Sequence, residues 1–278
     1  MSSNNTSETI AILGGGNLGQ AIAKGLVNSG KYTPAQIIVT RRHPGAIQSL
    51  AEAGYRVQSD NRDAVRSAGT IIISVQPQQM VALLKDIRDD LDPGQHAVLS
   101  TITGVRVSEI LKHIDKPVPV VRAMPNTAIS IGESMTCIAS AEENQDAIDR
   151  TVELFDLLGE TVVINENHMT PATALVACGI AFFLRAIRAA SQGGIEIGFH
   201  AEEALSMAAQ TAKGAASLLQ QSGSHPESEI DKVTTPRGCT IGGLNRMEHE
   251  GFSSAMIKGI LTSAELADAL YNHNNEPE

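Results

Sequence analysis

The fold class of this chain is decided by residues 9–23, which read TIAILGGGNLGQAIA. An apolar run of strand length enters a Gly-x-Gly-x-x-Gly turn, and a helical pattern follows at once. Gly14 permits the tight turn, Gly16 lets the backbone approach a pyrophosphate, and Gly19 lets the helix pack closely on the strand. Because the amides at a helix start are free to bind phosphate, the segment predicts a dinucleotide site; a purely structural glycine turn is the alternative. The amides that begin this helix belong to Asn17 and Leu18.

The next strand, residues 36–40, predicts which dinucleotide is bound. An NAD site usually has an acidic residue at the end of this strand, where it binds the ribose 2′-hydroxyl. Here the strand ends in Thr40, Arg41 and Arg42. Arginine binds phosphate through a planar fork of donors, so these residues favour NADP(H), with NAD(H) as the alternative cofactor. Two solvated surface arginines would be the competing interpretation.

Composition excludes several classes of partner. The chain has 278 residues and a formal charge of −10, which argues against binding to nucleic acid or to an anionic membrane. Residues 1–8 are polar and show no targeting signal. The longest apolar stretch, residues 171–184, is too short to span a bilayer and predicts a buried helix. The three cysteines lack metal-ligand spacing, so we expect free thiols, no metal site and a cytoplasmic location. They are Cys137, Cys178 and Cys239.

Two regions of different character follow each other along the chain. Residues 1–164 alternate short strands with helices, which predicts a Rossmann-like, doubly wound and mostly parallel α/β sheet. Residues 165–278 are Ala-rich and helical, with one long helix expected over 170–193. Such apolar helices need cover on several sides, so we expect an all-α domain that forms a homo-oligomer. The expected strands are 9–13, 36–40, 69–75, 97–102, 118–124, 134–139 and 161–164.

The ends of the later strands supply further candidates for the nicotinamide crevice. Ligands of doubly wound sheets bind beyond the carboxyl ends of the strands. Small, polar or proline-containing residues stand at those ends, and each proline could also serve only to end its strand. The candidates are Val75, Gln76, Pro77, Met124, Pro125 and Asn126.

The second informative segment is residues 233–244, VTTPRGCTIGGL. Three hydroxyls surround a Pro and a Gly, and a helical pattern follows. Such a loop offers hydroxyl and amide donors to a carboxylate, and it is equally typical of an ordinary capped helix start. The residues alone leave both interpretations open.

The Gly-rich turn, the segments VQP (75–77) and VRAMPNT (121–127), and the loop TTPRGCT (234–240) together resemble pyrroline-5-carboxylate reductase. The resemblance implies a Rossmann domain, a helical dimerisation domain, and NAD(P)H-dependent reduction of 1-pyrroline-5-carboxylate to L-proline. It implies that Thr240 binds the ring nitrogen as the catalytic residue. The same resemblance implies that the nicotinamide is lined by Gln76, Pro77, Met124, Pro125 and Asn126. It also implies that the substrate carboxylate is held by Thr235, Gly238, Cys239 and Thr240.

Four departures from the family pattern keep other functions open. The chain has Ile180 where the family has proline, Arg237 where it has glycine, Arg188 at an acidic position, and Gln76 in place of lysine. One alternative is another NADP-dependent imine or 3-hydroxy-acid reductase. The 3-hydroxy-acid version is disfavoured, because no lysine stands between residues 168 and 210. The other alternative is a non-catalytic NADP-binding regulatory protein.

Overall fold

The computed structural model describes residues 9–141 and 144–273. An eight-stranded sheet has the strand order β3-β2-β1-β4-β5-β6-β7-β8. All neighbouring strands are parallel except β6 and β7, which are antiparallel. The chain order reverses between β1 and β4, as in a doubly wound fold. The strands are β1 Ile10–Leu13, β2 Ile37–Thr40, β3 Arg56–Gln58, β4 Thr70–Ile73, β5 Ala97–Ser100, β6 Val120–Pro125, β7 Ser134–Ala139 and β8 Gly159–Val163.

The central strands are continuous apolar runs because helices cover both faces of the sheet. Leu13 and Ile71 belong to a buried cluster with helices on one face. Ile12 and Ile72, the next positions along the same two strands, belong to a second cluster on the other face. This alternation is the period-two direction of strand side chains, and it places β1 and β4 in the middle of the domain.

Helices account for most of the remaining described chain. The α-helices are α1 Asn17–Asn28, α2 Gln48–Glu52, α3 Asn61–Arg66, α4 Pro77–Ile87, α5 Val107–Ile114, α6 Gln145–Phe155, α7 Met169–Ala172, α8 Gly179–Glu196, α9 Ala201–Ser222, α10 Pro226–Val233, α11 Cys239–His249 and α12 Phe252–His273. Short 3₁₀ turns precede or follow several of them, and a π-helical segment, Thr173–Cys178, joins α7 to α8.

The predicted fold class is confirmed, with one strand missed. All seven expected strands are present, within a few residues of their predicted ends. The additional strand is β3, which pairs only with β2 at the sheet edge. It contains a single apolar residue, Val57, so it has no hydrophobic pattern that a sequence reading could detect.

The long apolar helix is more exposed than predicted. It runs over Glu166–Glu196, and by length and composition it could cross a membrane, yet only 17% of its most apolar window is buried. Leu175, Phe183 and Leu184 are more than half exposed. A single copy therefore does not bury this helix, and the predicted burial would need the second subunit that the apolar composition led us to expect.

The chain divides into two compact units. One contains the described residues up to Ala177 together with those from Ala264 onward, and it holds the whole sheet. The other is Cys178–Ser263, which contains α8 to α11. The predicted domain boundary between residues 164 and 165 stays a prediction. Residues 1–8, where we expected no targeting signal, lie outside the described residues.

Candidate functional site

A cleft of about 780 Å³ opens in the first unit at the carboxyl ends of β1, β2 and β4. Ligands of doubly wound sheets bind where the strand order reverses, and β1 with β4 is that place here. The cleft is lined by Gly14, Gly15, Gly16, Thr40, Arg41, Arg42, His43, Ser59, Asn61, Ser74, Val75, Gln76, Gln78, Gln79, Ala82, Leu83 and Asp86.

The glycine-rich loop has the geometry that its spacing predicts. Gly14 has a φ of +118°, and a Cβ on it would lie 2.2 Å from the carbonyl oxygen of Ser74. A Cβ on Gly19 would lie 2.1 Å from the carbonyl oxygen of Gly14, so the helix passes directly over the turn. Gly16 is different, because a Cβ there would meet no atom within 4 Å. Its backbone is open to an approaching ligand.

The start of α1 is suited to phosphate. Gly16 is its N-cap, no side chain caps the first turn, and no acidic residue lies in that turn. The first amides of a helix have no partner within the helix, and the helix dipole makes this end positive. A dinucleotide pyrophosphate therefore fits the loop: there is room at Gly16 and no carboxylate in the first turn to repel the phosphates.

Residues at the end of β2 form the second wall of the cleft. Thr40 is buried, and its hydroxyl donates to Oδ1 of Asn61 at 2.6 Å. The Nη1 atom of Arg41 donates to the carbonyl oxygen of Gly15 at 2.8 Å. Arg42 is exposed at the mouth of the same cleft. The structure thus brings the predicted phosphate-binding residues together. They differ in their contacts, since Arg41 is hydrogen-bonded to the glycine-rich loop and Arg42 is exposed.

The end of β4 and the start of α4 form the third wall. Gln76 is the N-cap of α4, and its amide donates to the side-chain oxygen of Gln79 at 3.3 Å. Pro77 occupies the first helical turn, where its missing N–H costs nothing. Val75 and Gln76 line the cleft as predicted, whereas Pro77 is absent from its lining.

The predicted residues at the end of β6 are not part of the cleft lining. Met124 and Pro125 are buried, and Met124 packs in a small core with Cys137 and Met169. The side chain of Asn126 accepts from the amide of Ala128 at 3.0 Å and caps a 3₁₀ turn. These three residues thus have clear structural roles, and their contact with a nicotinamide stays a prediction. Asn17, Leu18 and Gly19 also lie outside the lining.

The hydroxyl-rich loop lies in the second unit and forms a tight turn before α11. The amide of Gly238 donates to the carbonyl oxygen of Thr235 at 2.8 Å, which closes a four-residue turn with Pro236 at its second position. Arg237 takes the third position with a φ of +60°, a conformation that favours glycine. Cys239 and Thr240 begin α11, Cys239 is exposed, and Thr240 is partly exposed.

Perturbed titratable groups lie outside the cleft. Burial lowers the pKa of His96 and raises the pKa of the Cys137 thiol, which is consistent with packing roles for both. In residues 9–141 and 144–273, no group of three or more His, Cys, Asp or Glu side chains is arranged to hold a metal ion. The cleft offers backbone amides and arginine side chains for binding.

Sequence reasoning missed several lining residues. Ser59 and Asn61 follow β3, which was itself not predicted, and their proximity to Arg41 arises from the pairing of β2 with β3. Gln78, Gln79 and Asp86 lie on α4, one side of which lines the cleft along most of its length. These α4 residues could have been predicted from the position of the helix, which directly follows a central strand at the edge of the sheet where ligands bind.

Two family models match the chain. Residues 166–270 match pyrroline-5-carboxylate reductase dimerisation, and residues 9–104 match NADP oxidoreductase coenzyme F420-dependent. The solved structure of Plasmodium falciparum pyrroline carboxylate reductase with NADP bound has the same fold. Its TM-score is 0.85 at 21% identity, covering 95% of this chain and 99% of that one.

Curated relatives agree with the family models. Pyrroline-5-carboxylate reductase 1 of Dictyostelium discoideum is 50% identical over 96% of this chain, and this chain spans half of that relative's length. Pyrroline-5-carboxylate reductase 2 of the same organism is 49% identical, with 93% of this chain and 92% of the relative covered. The predicted resemblance is confirmed: the chain belongs to the pyrroline-5-carboxylate reductase family of NADP-dependent oxidoreductases.

Proposed function

We propose that this protein reduces the ring imine of 1-pyrroline-5-carboxylate to L-proline, in the cytoplasm, with NADPH as the hydride donor. The observation that carries the proposal is the cleft at the sheet's switch point, with its open Gly16 backbone and basic rim, in a chain of this family. NADH would be the weaker donor, because the rim carries Arg41 and Arg42 in place of the acidic residue that binds an unphosphorylated ribose.

The chain's own residues have a modest chemical task. When bound, the reduced nicotinamide supplies the hydride. A protonated cyclic imine is already electrophilic, so the protein has to align the two reactants and complement their charges more than it has to move protons. We assign the alignment of the nicotinamide to Val75, Gln76 and Pro77 at the end of β4, with Met124, Pro125 and Asn126 from β6.

The substrate is assigned to the loop before α11. Thr235 and Cys239 would bind its carboxylate through hydroxyl and amide donors, Gly238 would shape the turn that presents them, and Thr240 would hold the ring nitrogen as the catalytic residue. Two observations support this assignment. The Gly238 amide donates to the Thr235 carbonyl oxygen at 2.8 Å and closes the turn directly before α11, and the first turn of α11 carries no acidic residue.

We also propose that a second copy of the chain covers the exposed apolar side chains of the helical region. The region matches a dimerisation model, and more than half of the surface of Phe183, Leu184 and Leu218 is exposed in one copy. A homodimer, or a larger homo-oligomer built from it, would bury these side chains. Arg185 and Arg188 interrupt the apolar sequence of α8, the helix that carries Phe183 and Leu184, and this favours a protein partner over a lipid bilayer. The free thiols of Cys137, Cys178 and Cys239 agree with a reducing cytoplasm.

The deciding experiment follows NADPH oxidation at 340 nm with 1-pyrroline-5-carboxylate as substrate, alongside NADH and a 3-oxo acid as the alternative donor and acceptor. Turnover dependent on the imine, and faster with NADPH, is expected. Calorimetric NADPH binding without turnover would support the non-catalytic alternative, and turnover of the 3-oxo acid alone would support the hydroxy-acid reductase. Light scattering at several concentrations measures the oligomeric state.

A further inference from the structure

The two arginines of the cleft rim differ in their contacts. The guanidinium of Arg41 reaches back across the cleft wall and donates from Nη1 to the carbonyl oxygen of Gly15 at 2.8 Å. Arg42 is exposed and has no hydrogen bond or ion pair to another described side chain. Although the two side chains are adjacent in sequence, their surroundings therefore suit them to different roles.

The carbonyl that Arg41 contacts belongs to the peptide unit that joins Gly15 to Gly16. The oxygen of Gly15 and the N–H of Gly16 share one peptide plane, and in a trans peptide they point in opposite directions. The described peptide bonds are all trans. A group that fixes the Gly15 oxygen therefore also fixes the direction of the Gly16 N–H. Both glycines line the cleft, but Gly16 is exposed whereas Gly15 is buried.

A second side chain contacts the same oxygen. Nε2 of Gln20 donates to the Gly15 oxygen at 3.1 Å from the first turn of α1. Nearby, the amides of Gly14 and Gly15 both donate to the carbonyl oxygen of Thr40, at 3.2 and 2.8 Å. The backbone bonds hold the loop against the end of β2, and the two side chains set the orientation of its last peptide.

We propose that Arg41 is a positioning residue for the pyrophosphate, acting through the Gly15–Gly16 peptide, and that Arg42 alone discriminates the 2′-phosphate. The proposal rests on the proposed binding of NADP(H) in this cleft. A cationic donor on the Gly15 oxygen orients the Gly16 N–H and polarises it, which strengthens that N–H as a donor to phosphate. Because NAD and NADP share the pyrophosphate, Arg41 serves both cofactors equally.

Calorimetric affinities for NADP⁺, NAD⁺, ADP and 2′-AMP separate the two roles. ADP carries the pyrophosphate without a 2′-phosphate, and 2′-AMP carries the 2′-phosphate without a pyrophosphate. Arg41→Ala should weaken NADP⁺, NAD⁺ and ADP alike, by about tenfold, the effect of one lost charge-assisted hydrogen bond. Its affinity for 2′-AMP should stay at the wild-type value. Arg42→Ala should weaken NADP⁺ and 2′-AMP by a similar factor and leave ADP and NAD⁺ unchanged.

Two further variants protect the test from a merely structural effect. Gln20→Leu removes the other donor to the same oxygen and should weaken ADP less than Arg41→Ala does, because a neutral hydrogen bond is weaker. Arg41→Lys retains a cation and should recover part of the ADP affinity at an unchanged melting temperature. If Arg41→Ala fails to fold, the ADP affinities of Arg41→Lys and Gln20→Leu are measured instead. Weakened ADP binding in both variants supports the proposal, and wild-type ADP affinity in both overturns it.

The outcomes are distinct. Wild-type affinity of the Arg41 variants for ADP and NAD⁺, with loss confined to NADP⁺ and 2′-AMP, would overturn the proposal and leave the proposed function standing. Failure of the wild-type protein to bind any of the four ligands would instead overturn the proposed function itself.

Discussion

The Cα of Gly19 lies so close to the carbonyl oxygen of Gly14 that an added methyl group would be 2.1 Å from that oxygen. The clashing atom is a backbone oxygen, which cannot move away by a change of side-chain rotamer. The third glycine of the motif thus serves the packing of α1 on its turn, whereas Gly16, with no atom within 4 Å of an added Cβ, faces open space. Substitutions at the two glycines should therefore have different effects.

Substitution by alanine separates these two roles. Gly19→Ala should destabilise the fold by about 2–4 kcal/mol, as expected of overpacking against a fixed backbone, and should lose NADPH binding with it. Gly16→Ala should leave the melting temperature within a few degrees of wild type but weaken NADPH and NADH alike, because its methyl group occupies the space of the pyrophosphate. Thermal melts and calorimetry measure both. A Gly19→Ala variant as stable as wild type would contradict the packing role.

A buried carboxylate offers a test of stability. Oε1 of Glu166 accepts from the amide of Val107 at 2.7 Å and lies 3.4 Å from Nη1 of Arg122, with side chains of Glu166 and Arg122 only 15% and 5% exposed. Glu166→Gln keeps an acceptor but removes the charge. We expect a loss of about 1.5–3 kcal/mol in the free energy of unfolding, the contribution typical of hydrogen bonds to a charged group. Urea denaturation measures it, with the exposed Glu160→Gln as the control that should stay within 0.5 kcal/mol, roughly the limit for surface changes.

His96 should make stability fall in mild acid. It is 6% exposed, burial lowers its pKa below the usual 6.5, and its Nδ1 accepts from the amide of Asp92 at 2.8 Å. His96 therefore takes up its proton at a lower pH in the folded protein than in the unfolded chain, where the ordinary pKa is 6.5. Its contribution is present above that pH and is lost as the pH falls, by up to about 1.4 kcal/mol per pH unit.

The pH dependence is measured as the difference in unfolding free energy between pH 7.5 and pH 5.5, working conditions chosen on either side of the ordinary histidine pKa of about 6.5. His96→Gln should show a smaller difference than wild type. The exposed His249→Gln serves as the control and should retain the wild-type difference. Equal pH dependence in all three proteins would show that His96 does not couple to folding.

Thr240 is the residue proposed to hold the ring nitrogen. Thr240→Ala should lower kcat/KM for 1-pyrroline-5-carboxylate by about tenfold or more, the effect of one hydrogen bond of about 1.4 kcal/mol, with NADPH affinity unchanged. Thr240→Ser keeps the hydroxyl and should stay close to wild type. Steady-state kinetics with calorimetric NADPH binding test the pair, and a Thr240→Ala enzyme at full rate would remove this residue from the mechanism.

Arg237 occupies a turn position with a φ of +60°. Relief of the left-handed strain by glycine exceeds the added entropy of the unfolded chain, so Arg237→Gly should stabilise the protein by roughly 0.5–1 kcal/mol. Arg237→Ala keeps the strain and should not. A matched loss of substrate affinity in both variants would indicate that the guanidinium contacts the carboxylate, whereas equal stability of all three proteins would contradict the strain argument.

How much of the site could be predicted varies from residue to residue. Gly14, Gly16 and Gly19 could be predicted because they stand at a fixed spacing within one strand–turn–helix unit. Asn61 was not readable, because it meets Thr40 only after β3 pairs with β2 in the sheet. The structural role of Met124 was equally hidden, since its packing partner Met169 lies 45 positions away in the chain.

The sequence by itself determined the doubly wound fold and the glycine-rich turn, because hydrophobic periodicity and glycine spacing are local properties of the chain. It indicated the family through the resemblance carried by residues 75–77, 121–127 and 234–240. Only the tertiary structure decided that Arg41 contacts the Gly15 carbonyl oxygen while Arg42 stays exposed, since the bond from Arg41 to Gly15 joins segments 26 residues apart. The same holds for the apolar helix: its composition predicted burial, but the exposure of Phe183 and Leu184 shows that one copy does not provide the cover. Long-range pairing and the packing between elements are not encoded in any single segment, and they place the side chains that a local pattern can only nominate.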